Sequence, residues 1–351
     1  MNTISQPLSN AVENRGRGHL QMTQDSGQPG APNVVVVTTM KDEGAYILDW
    51  ISHYKSIGVS DFVIFTNECS DPTDHILRCL HRMGVIEHRF SRVVRRGPHK
   101  SALMWAEYEP KVNNADWVLV IDVDEYLQIN SGDGTLPGLL AERADADAVS
   151  FVWRIFGNAG VGPVDHPPVP QAFVLAEPAA GLPDEHRFFK TAFRKNGKFT
   201  RMGVHRPFLA DTAGEVNWQL ADGTRLPEDE LEGALYVRGG YGYSAAQLNH
   251  YALRSRDGFL NKKARGRANH FTSSIEPGYW HKFDKNEEED RRLADNFSAA
   301  LQIKEDLLQD DNLREYHEMA LVWHRRKGRK ARISKDGQEF LNSLADSRKT
   351  A

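Results

Sequence analysis

The architecture of this chain follows from the segment Ala115-Asp116-Trp117-Val118-Leu119-Val120-Ile121-Asp122-Val123-Asp124-Glu125-Tyr126-Leu127. Its apolar run from Trp117 to Ile121 predicts a strand that is buried on both faces, as strands of a parallel sheet are. Three carboxylates follow directly, those of Asp122, Asp124 and Glu125. Charged groups without partners are too costly to bury in such a core. We therefore place these acids at the carboxyl end of the strand, where open α/β sheets bind their ligands.

The spacing of the first two acids indicates a metal site. Side chains alternate along an extended chain, so Asp122 and Asp124 are expected on the same side. Two neighbouring carboxylates repel each other, and a hard divalent cation relieves that repulsion. Oxygen ligands suit Mg²⁺ or Mn²⁺. The alternative is a strand that ends in a solvated acidic turn, because the D-x-D pattern is short and common.

The composition is that of a globular protein without a strong charge bias. The chain has 351 residues, 40% hydrophobic and 26% charged, and its 44 basic and 48 acidic residues give a formal net charge of −4. A nucleic-acid-binding domain is usually strongly basic, so we expect no nucleic-acid partner. The two cysteines, Cys69 and Cys79, form no C-x-x-C pair, which argues against zinc ribbons and disulfide frameworks.

The sequence also lacks signals for membrane insertion and export. No apolar run approaches the roughly 18 to 20 residues that span a bilayer, and the polar N-terminal residues do not resemble a signal peptide. We therefore expect a cytoplasmic protein. The basic run His324-Arg325-Arg326-Lys327-Gly328-Arg329-Lys330-Ala331-Arg332 would allow peripheral contact with an anionic membrane or polysaccharide. A solvated helix face is the alternative for this run.

Strand and helix patterns alternate along the chain. Residues 1–32 are rich in Asn, Gln, Gly, Ser and Pro and are expected to form a disordered leader. Strand patterns at 33–39, 61–67 and 85–90 are separated by helix patterns, so the opening segment supplies the fourth strand. This alternation predicts a parallel sheet with right-handed crossovers.

Later elements are predicted from the same patterns. A helix is expected over 101–109, a fifth strand over 148–156, and short strands over 188–194 and 203–208. From about residue 286 the chain is expected to be helical and highly charged.

Six ordered motifs stand out in the sequence: T-T-M-K-D-E-G-A-Y-I-L-D-W-I-S-H-Y at 38–54, T-N-E-C-S-D-P-T-D at 66–74, I-D-V-D-E-Y-L at 121–127, W-R-I-F-G at 153–157, K-T-A-F-R at 190–194 and N-H-Y at 249–251. Together they resemble the GT-A glycosyltransferases, in particular the family 2-like and family 92-like group. The resemblance implies an α/β, Rossmann-like catalytic domain at 33–270, with a mostly parallel central sheet flanked by helices. A charged, mainly helical C-terminal region would follow at 271–351.

The resemblance also implies a reaction. Such enzymes take a nucleotide-sugar donor, expected here to be a UDP-sugar, and transfer its sugar to a hydroxyl of a glycan or another acceptor, here with inversion. A divalent cation on the diphosphate neutralises the charge that develops as the glycosidic bond breaks. In the family the first acid lies near the donor's ribose and the second ligates the metal, which would assign these roles to Asp122 and Asp124. Glu125 would orient a ligand from behind them.

The family also suggests a third metal ligand. GT-A enzymes often complete the metal site with a histidine from the C-terminal part of the catalytic domain, which implies His250, with His205 as the rival. Because imidazole suits Mn²⁺ better than Mg²⁺, a histidine ligand favours manganese.

Five further residues are candidates for donor binding. Lys41 and Glu43 leave the first strand in the turn that touches base and ribose in similar enzymes, although acids there also favour a helix dipole. Asn67 and Asp71 follow the second strand, where Asp71 would serve equally as a helix cap. Lys100 precedes a predicted helix start, where phosphate meets free N–H groups; a solvated lysine is the alternative.

An inverting transfer needs a general base within reach of the acceptor hydroxyl. Glu185, with Asp184 beside it, resembles in position an acidic residue of the family 92-like pattern, and Asp165 is a weaker candidate. Lys190 and Arg254 are candidates for phosphate binding. The basic cluster at 262–267 is expected to form a loop that closes over the diphosphate.

Two other functions remain open at the sequence level. A non-catalytic protein with this fold would bind a nucleotide or glycan without transferring it. A haloacid-dehalogenase-like phosphatase also uses D-x-D after a strand, but its acids follow the first strand rather than the fourth.

Overall fold

The computed structural model describes residues 30–94, 97–163, 168–181, 183, 187–233, 235–238, 243–265 and 277–347. The elements of its first half are β1 (Val34–Met40), α1 (Ile47–Ser56), β2 (Asp61–Thr66), α2 (Thr73–Arg82), β3 (Glu87–Phe90), α3 (Pro98–Ala106), α4 (Pro110–Asn113), β4 (Trp117–Val120), β5 (Glu125–Ile129), α5 (Leu136–Glu142) and β6 (Ala148–Ile155). The elements that follow are α6 (Val169–Ala172), β7 (Leu175–Ala176), β8 (Phe189–Arg194), β9 (Phe199–Arg201), β10 (Phe208–Leu209), β11 (Trp218–Leu220), β12 (Ala246–His250), α7 (Arg256–Arg265), α8 (Pro277–Phe283), β13 (Glu288–Glu289), α9 (Arg292–Asp295), α10 (Ser298–Leu307), α11 (Asp311–Ile333) and α12 (Lys335–Ser347).

A central, mostly parallel sheet organises the described residues. Its strand order is β3-β2-β1-β4-β8-β6-β12-β5, and β11 adds to β6. The strands β1 to β4 are parallel to one another, whereas β8 runs antiparallel between β4 and β6. Because β12 is parallel to β6, the carboxyl ends of β1, β4, β6 and β12 lie at the same edge. The predicted GT-A-type α/β sheet is confirmed.

The first strand shows why this sheet is buried on both faces. Val34 and Val36 belong to one apolar core, and Val35 and Val37 belong to the other. All four valines are fully buried, as expected when a β-branched run alternates between two helix-covered faces. Trp117 and Val118 of β4 divide between the two cores in the same way.

The C-terminal helices cover one side of the sheet. They also reach the edge at which β1, β4, β6 and β12 have their carboxyl ends, which is the functional edge of the sheet. Helix α10 packs against α1, and α11 packs against α2 and α7. Helix α11 begins at a capped end, because the N–H of Leu313 donates to the Asp310 carboxylate. Among the described residues, no helix is both long enough and apolar enough to cross a membrane.

Three local predictions differ from the structure. Helix α3 begins at Pro98 rather than at 101, because Gly97 turns the chain with a φ of 86° and proline suits a first helical position. The strand predicted over 203–208 is a bend, and the pairing lies instead between β9 and β10. The basic cluster at 262–267, predicted to be a loop, is helical up to Arg265 as part of α7, and Gly266 and Arg267 lie outside the described residues.

Candidate active site

The acidic segment forms a tight turn at the carboxyl end of β4. The N–H of Glu125 donates to the carbonyl of Asp122 (3.1 Å), and β5 begins at Glu125. The indole N–H of Trp50 on α1 donates to the carbonyls of both residues, at 3.1 Å each. The chain is therefore not extended between Asp122 and Asp124, and the expectation that alternation alone puts them on one side was wrong. They remain close enough for the charge of Asp124 to oppose ionisation of Asp122.

Asp122 is anchored by a buried lysine. Nζ of Lys190 on β8 lies 2.9 Å from Oδ2 of Asp122 and also donates to the carbonyl of Val204 at 3.0 Å. The Lys190 side chain is 0% exposed. Burial alone would raise the pKa of the Asp122 carboxyl, but the charge of Lys190, the charge of His99 and the hydrogen bond from Lys190 together hold that pKa below its usual range. Asp122 is thus an ionised carboxylate with one oxygen already engaged.

Glu125 lies behind the turn. It is fully buried, and its Oε2 accepts the N–H of Asp122 at 2.8 Å. Lys190 is 3.5 Å from the same oxygen. Burial, followed by the charges of Asp122 and Asp124, raises the pKa of Glu125 despite Lys190. Glu125 therefore takes up a proton before its two neighbours, and its contact with the Asp122 backbone shapes the turn.

Asp124 faces a different set of partners. Its Oδ2 lies 2.7 Å from Nζ of Lys262 on α7, and its Oδ1 lies 3.9 Å from Nε2 of His250 at the end of β12. Burial would raise the pKa of Asp124, but Lys262, His250 and Arg254 together hold it well below its usual range. Burial lowers the pKa of His250 to about 4 against the charge of Asp124. At neutral pH a neutral imidazole therefore faces an ionised carboxylate.

Arg254 ties the turn after β1 to the acidic turn. Its guanidinium donates to Glu43 Oε2 at 2.7 Å and to the carbonyl of Val123 at 3.0 Å, and it lies over the ring of Tyr46 at 3.7 Å. Burial would lower the pKa of Arg254, but Glu43, Tyr46 and Asp124 together raise it above its usual value, so the group stays charged. Arg254 thus links Glu43 to the backbone of the acidic turn at Val123, and the Glu43 carboxylate is paired with this buried cation.

The remaining donor candidates are spread along the same edge. Lys41 lies 3.7 Å from Glu68 in an ion pair, and Asn67 is half-buried after β2. Lys100 is exposed on the first turn of α3. His99, which the sequence reasoning did not single out, is buried, and its charge influences Asp122. The sequence signal that could have identified His99 is its position in the first turn of α3, the helix that follows β3.

Asp71 is enclosed by protein donors. Its carboxylate accepts the N–H groups of Gly44 (2.9 Å) and Thr73 (3.0 Å), and Nε2 of His324 lies 2.9 Å from the same oxygen that Gly44 contacts. The side chain is 0% exposed. Pro72 is the N-cap residue of α2, and the Asp71 carboxylate supports the start of this helix by accepting the N–H of Thr73. It also shows that the basic run on α11 is not a uniformly solvated face, because His324 is buried.

A second cluster resembles a metal site but is explained by hydrogen bonds. Ligand atoms of Asp42, Cys69 and Asp71 lie within 4.8 Å of one another. However, Oδ1 of Asp42 accepts the N–H groups of Ser70 and Asp71, and Oδ2 accepts the Ser70 hydroxyl. Burial raises the pKa of the Cys69 thiol, which keeps it protonated, whereas a metal requires thiolate. These groups therefore fit a stabilised turn better than a cation site.

Asp124 and His250 fit a divalent cation better. Ligand atoms about 2.1 Å from one ion lie about 3 to 4 Å apart, and the 3.9 Å between Asp124 Oδ1 and His250 Nε2 is in that range. The distance is too long for a hydrogen bond. His205, the rival, has its Nδ1 3.1 Å from the Phe189 carbonyl, and burial lowers its pKa to about 4. The candidate bases Glu185, Asp184 and Asp165 lie outside the described residues.

The α/β fold, with a mostly parallel central sheet flanked by helices, is that of a GT-A glycosyltransferase. The family model of glycosyltransferase family 92 matches residues 33–208, and the chain belongs to this family. In a haloacid-dehalogenase-like phosphatase the acids would follow the first strand. Here they follow β4 rather than β1, which argues against that alternative. No curated protein is significantly similar in sequence.

Solved structures show only a distant likeness. S. aureus TarS 1–349 in complex with UDP matches with a TM-score of 0.31 and 15% identity over 46% of this chain and 47% of TarS. The same protein in complex with UDP-GlcNAc gives 0.30 and 12% over 90% and 92%. Glucosyl-3-phosphoglycerate synthase from Mycobacterium tuberculosis, in complex with Mn²⁺, UDP and glucosyl-3-phosphoglycerate, gives 0.27 and 16% over 48% and 58%. The chain thus spans about half of the first TarS structure.

Proposed function

We propose that this chain transfers a sugar from a nucleoside-diphosphate donor, specifically a UDP-sugar, to a hydroxyl of a glycan or another acceptor. The proposed reaction depends on Mn²⁺ or Mg²⁺ and inverts the anomeric configuration. The observation that carries the proposal is the meeting of Asp122, Asp124 and His250 at the carboxyl ends of β4 and β12, in a chain of glycosyltransferase family 92.

The chain's own residues divide the work of binding the donor. Asp124 and His250 would hold the cation, which when bound neutralises charge on the departing diphosphate. Lys190 engages Oδ2 of Asp122, which leaves its other oxygen for the cation or the donor's ribose. Arg254 keeps Glu43 at the same edge through their 2.7 Å contact. There the backbone and side chain of Glu43 would border the donor.

The general base is proposed to be Glu185, with Asp184 as the neighbouring alternative. It would accept the proton of the acceptor hydroxyl as the new bond forms. Glu185→Gln is expected to lower kcat by about 10² to 10⁴-fold, in the range that general-base catalysis contributes, while donor binding stays unchanged. An active Glu185→Gln variant together with an inactive Asp184→Asn variant would move the role to Asp184.

The decisive experiment is donor binding with and without metal. UDP and UDP-sugars are titrated into the protein by calorimetry, with Mn²⁺ and with EDTA, and the same is done for Asp124→Ala. We expect binding that strengthens with Mn²⁺ in the native protein and loses this dependence in the variant. Asp211→Ala, at an exposed acid, is the matched control and should behave like the native protein.

Two results would contradict the proposal. Metal-dependent binding that survives Asp124→Ala unchanged would remove the proposed metal site. Tight donor binding without transfer or hydrolysis of any UDP-sugar, over a panel of acceptors, would favour the non-catalytic alternative.

We also propose that α11 makes peripheral contact with an anionic membrane. Arg325, Arg326, Arg329 and Lys330 are exposed on this helix, and the exposed Met319 lies on the preceding turns. The protein should float with vesicles containing anionic phospholipid and not with neutral vesicles, and salt should release it. Equal flotation with both would contradict this contact. The cytoplasmic location stays a prediction.

A further inference from the structure

Three acids at the functional edge each hold a protein cation. Asp122 is paired with Lys190 at 2.9 Å, Asp124 with Lys262 at 2.7 Å, and Glu43 with Arg254 at 2.7 Å. A divalent cation therefore does not meet free carboxylates here. It meets carboxylates whose charge is already balanced from within the chain.

Lys262 is more exposed to solvent than the other two cations. The side chains of Lys190 and Arg254 are 0% and 9% exposed, whereas that of Lys262 is 24% exposed. Lys262 reaches Asp124 from α7, donates to the carbonyl of Ala252 at 3.0 Å, and has its Nζ 5.9 Å from the ring centroid of Tyr279. An ammonium on a flexible four-carbon stem can leave such a site for water, while a fully buried one would lose its carboxylate partner with no water beside it to replace that partner.

The two oxygens of Asp124 also face different groups. Lys262 lies against Oδ2, and His250 lies nearest to Oδ1 at 3.9 Å. Since the two oxygens belong to one carboxylate, a cation held by Asp124 and His250 would be close to the Lys262 ammonium. Two positive groups at one carboxylate repel each other.

From these contacts we propose that Lys262 competes with the divalent cation for Asp124, and that it leaves this carboxylate when cation and donor bind. This inference rests on the proposed function. In the donor-free protein Lys262 weakens cation binding, and a nucleoside diphosphate offers the displaced ammonium a new anionic partner. Binding of the donor and of the cation should therefore be positively coupled, and the coupling must be reciprocal.

The test measures Mn²⁺ binding directly, by the electron paramagnetic resonance signal of free Mn²⁺, in the full chain without donor. Lys262→Met keeps the length of the side chain and removes its charge. We expect it to bind Mn²⁺ about 10-fold more tightly than the native protein, whereas Lys262→Arg should stay close to native. Lys263→Met is the matched control, because Nζ of Lys263 lies 5.4 Å from the ring centroid of Phe340, and it should not change Mn²⁺ affinity.

A second measurement uses UDP. UDP should increase the Mn²⁺ affinity of the native protein, and this increase should be several-fold smaller in Lys262→Met, because the competing ammonium is already gone. A larger or equal increase in the variant would overturn the inference.

Asp124→Ala separates the two levels of the argument. Mn²⁺ binding that is lost in Asp124→Ala but unchanged or weaker in Lys262→Met would overturn the role of Lys262 and leave the proposed metal site standing. If Asp124→Ala binds Mn²⁺ as tightly as the native protein, even with UDP, both the metal site and the competition are wrong. Circular dichroism of each variant shows that the chain is folded.

Discussion

Residues 33–208 and the part of the chain beyond them contribute opposite charges to the functional edge. The first region, matched by the family model, supplies the acids Asp42, Glu43, Asp71, Asp122 and Asp124. The second region supplies most of their basic partners, namely His250, Arg254, Lys262, His324 and Lys327. The exception is Lys190, which comes from the first region. The difference teaches that the acids of the first region form only one half of an electrostatic unit, and each half is stable at this edge because of the other.

The largest expected effect comes from removing the buried cation of the second region. Arg254→Met removes the cation that is paired with the buried Glu43 and also removes the contact with the Val123 carbonyl. Breaking a buried ion pair in this way costs about 3 to 5 kcal/mol. Urea unfolding should show this loss in the free energy of unfolding, and Glu43→Gln combined with Arg254→Met should recover part of it. A loss below about 1 kcal/mol would show that the two regions are not coupled through this pair.

The next effect concerns pH and a histidine between the two regions. His53 of α1 donates from Nε2 to the Leu127 carbonyl at 2.8 Å when that nitrogen is protonated, and its ring stacks on Phe297 of the second region at 5.8 Å. Burial lowers the pKa of His53 to about 4, against 6.5 in the unfolded chain. Between these values the unfolded state binds the proton more readily, so stability is complete above about pH 6.5 and is lost as pH falls towards 4.

A shift of this size corresponds to about 3 kcal/mol for His53, at about 1.4 kcal/mol per pKa unit. Unfolding free energies measured from pH 7 to 4 should therefore fall less steeply in His53→Gln than in the native protein. An identical pH dependence in the variant would mean that His53 is accessible to protons in the folded state. His88 on β3 also has a pKa that burial lowers to about 4. Because His53→Gln leaves His88 in place, the pH dependence that His88 contributes should remain in the variant.

A steric contact between the regions gives the third prediction. A Cβ atom on Gly44 would lie 2.9 Å from Cβ of Ala320 on α11 and 2.9 Å from Oδ2 of Asp71. Gly44→Ala should therefore destabilise the protein by about 1 to 3 kcal/mol, as overpacking does, and thermal unfolding would detect it. Gly278→Ala is the control, since a Cβ there meets nothing within 4 Å, and it should leave the melting temperature unchanged or slightly higher. Equal melting temperatures for both variants would show that α11 can move away from the β1 turn.

The sequence predicted the acidic half of this unit far better than the basic half, for a physical reason. Apolar runs and turn residues act over a few positions, so the alternation up to β4 and the placement of Asp122 and Asp124 after it were readable. The pair of Arg254 with Glu43 spans 211 positions, and that of His324 with Asp71 spans 253. Such partners are set by how the last helices pack, which no local pattern encodes. The direction of the Asp124 side chain was unpredictable for the same reason. The turn that contains it is held by a hydrogen bond from Trp50, far away in the sequence, to the carbonyl of Glu125.

The smallest expected effect belongs to a second cation that the later region places beside the β1 turn. Nζ of Lys327 lies 3.5 Å from Oδ2 of Asp42, and its side chain is 27% exposed. Asp42 keeps the N–H and hydroxyl of Ser70 when this lysine is removed, and partly exposed pairs contribute about 0 to 1 kcal/mol. Lys327→Met should therefore change the free energy of unfolding by less than about 1 kcal/mol. A loss as large as that of Arg254→Met would mean that the β1 turn is held in place by cations of the C-terminal region and not by its own hydrogen bonds.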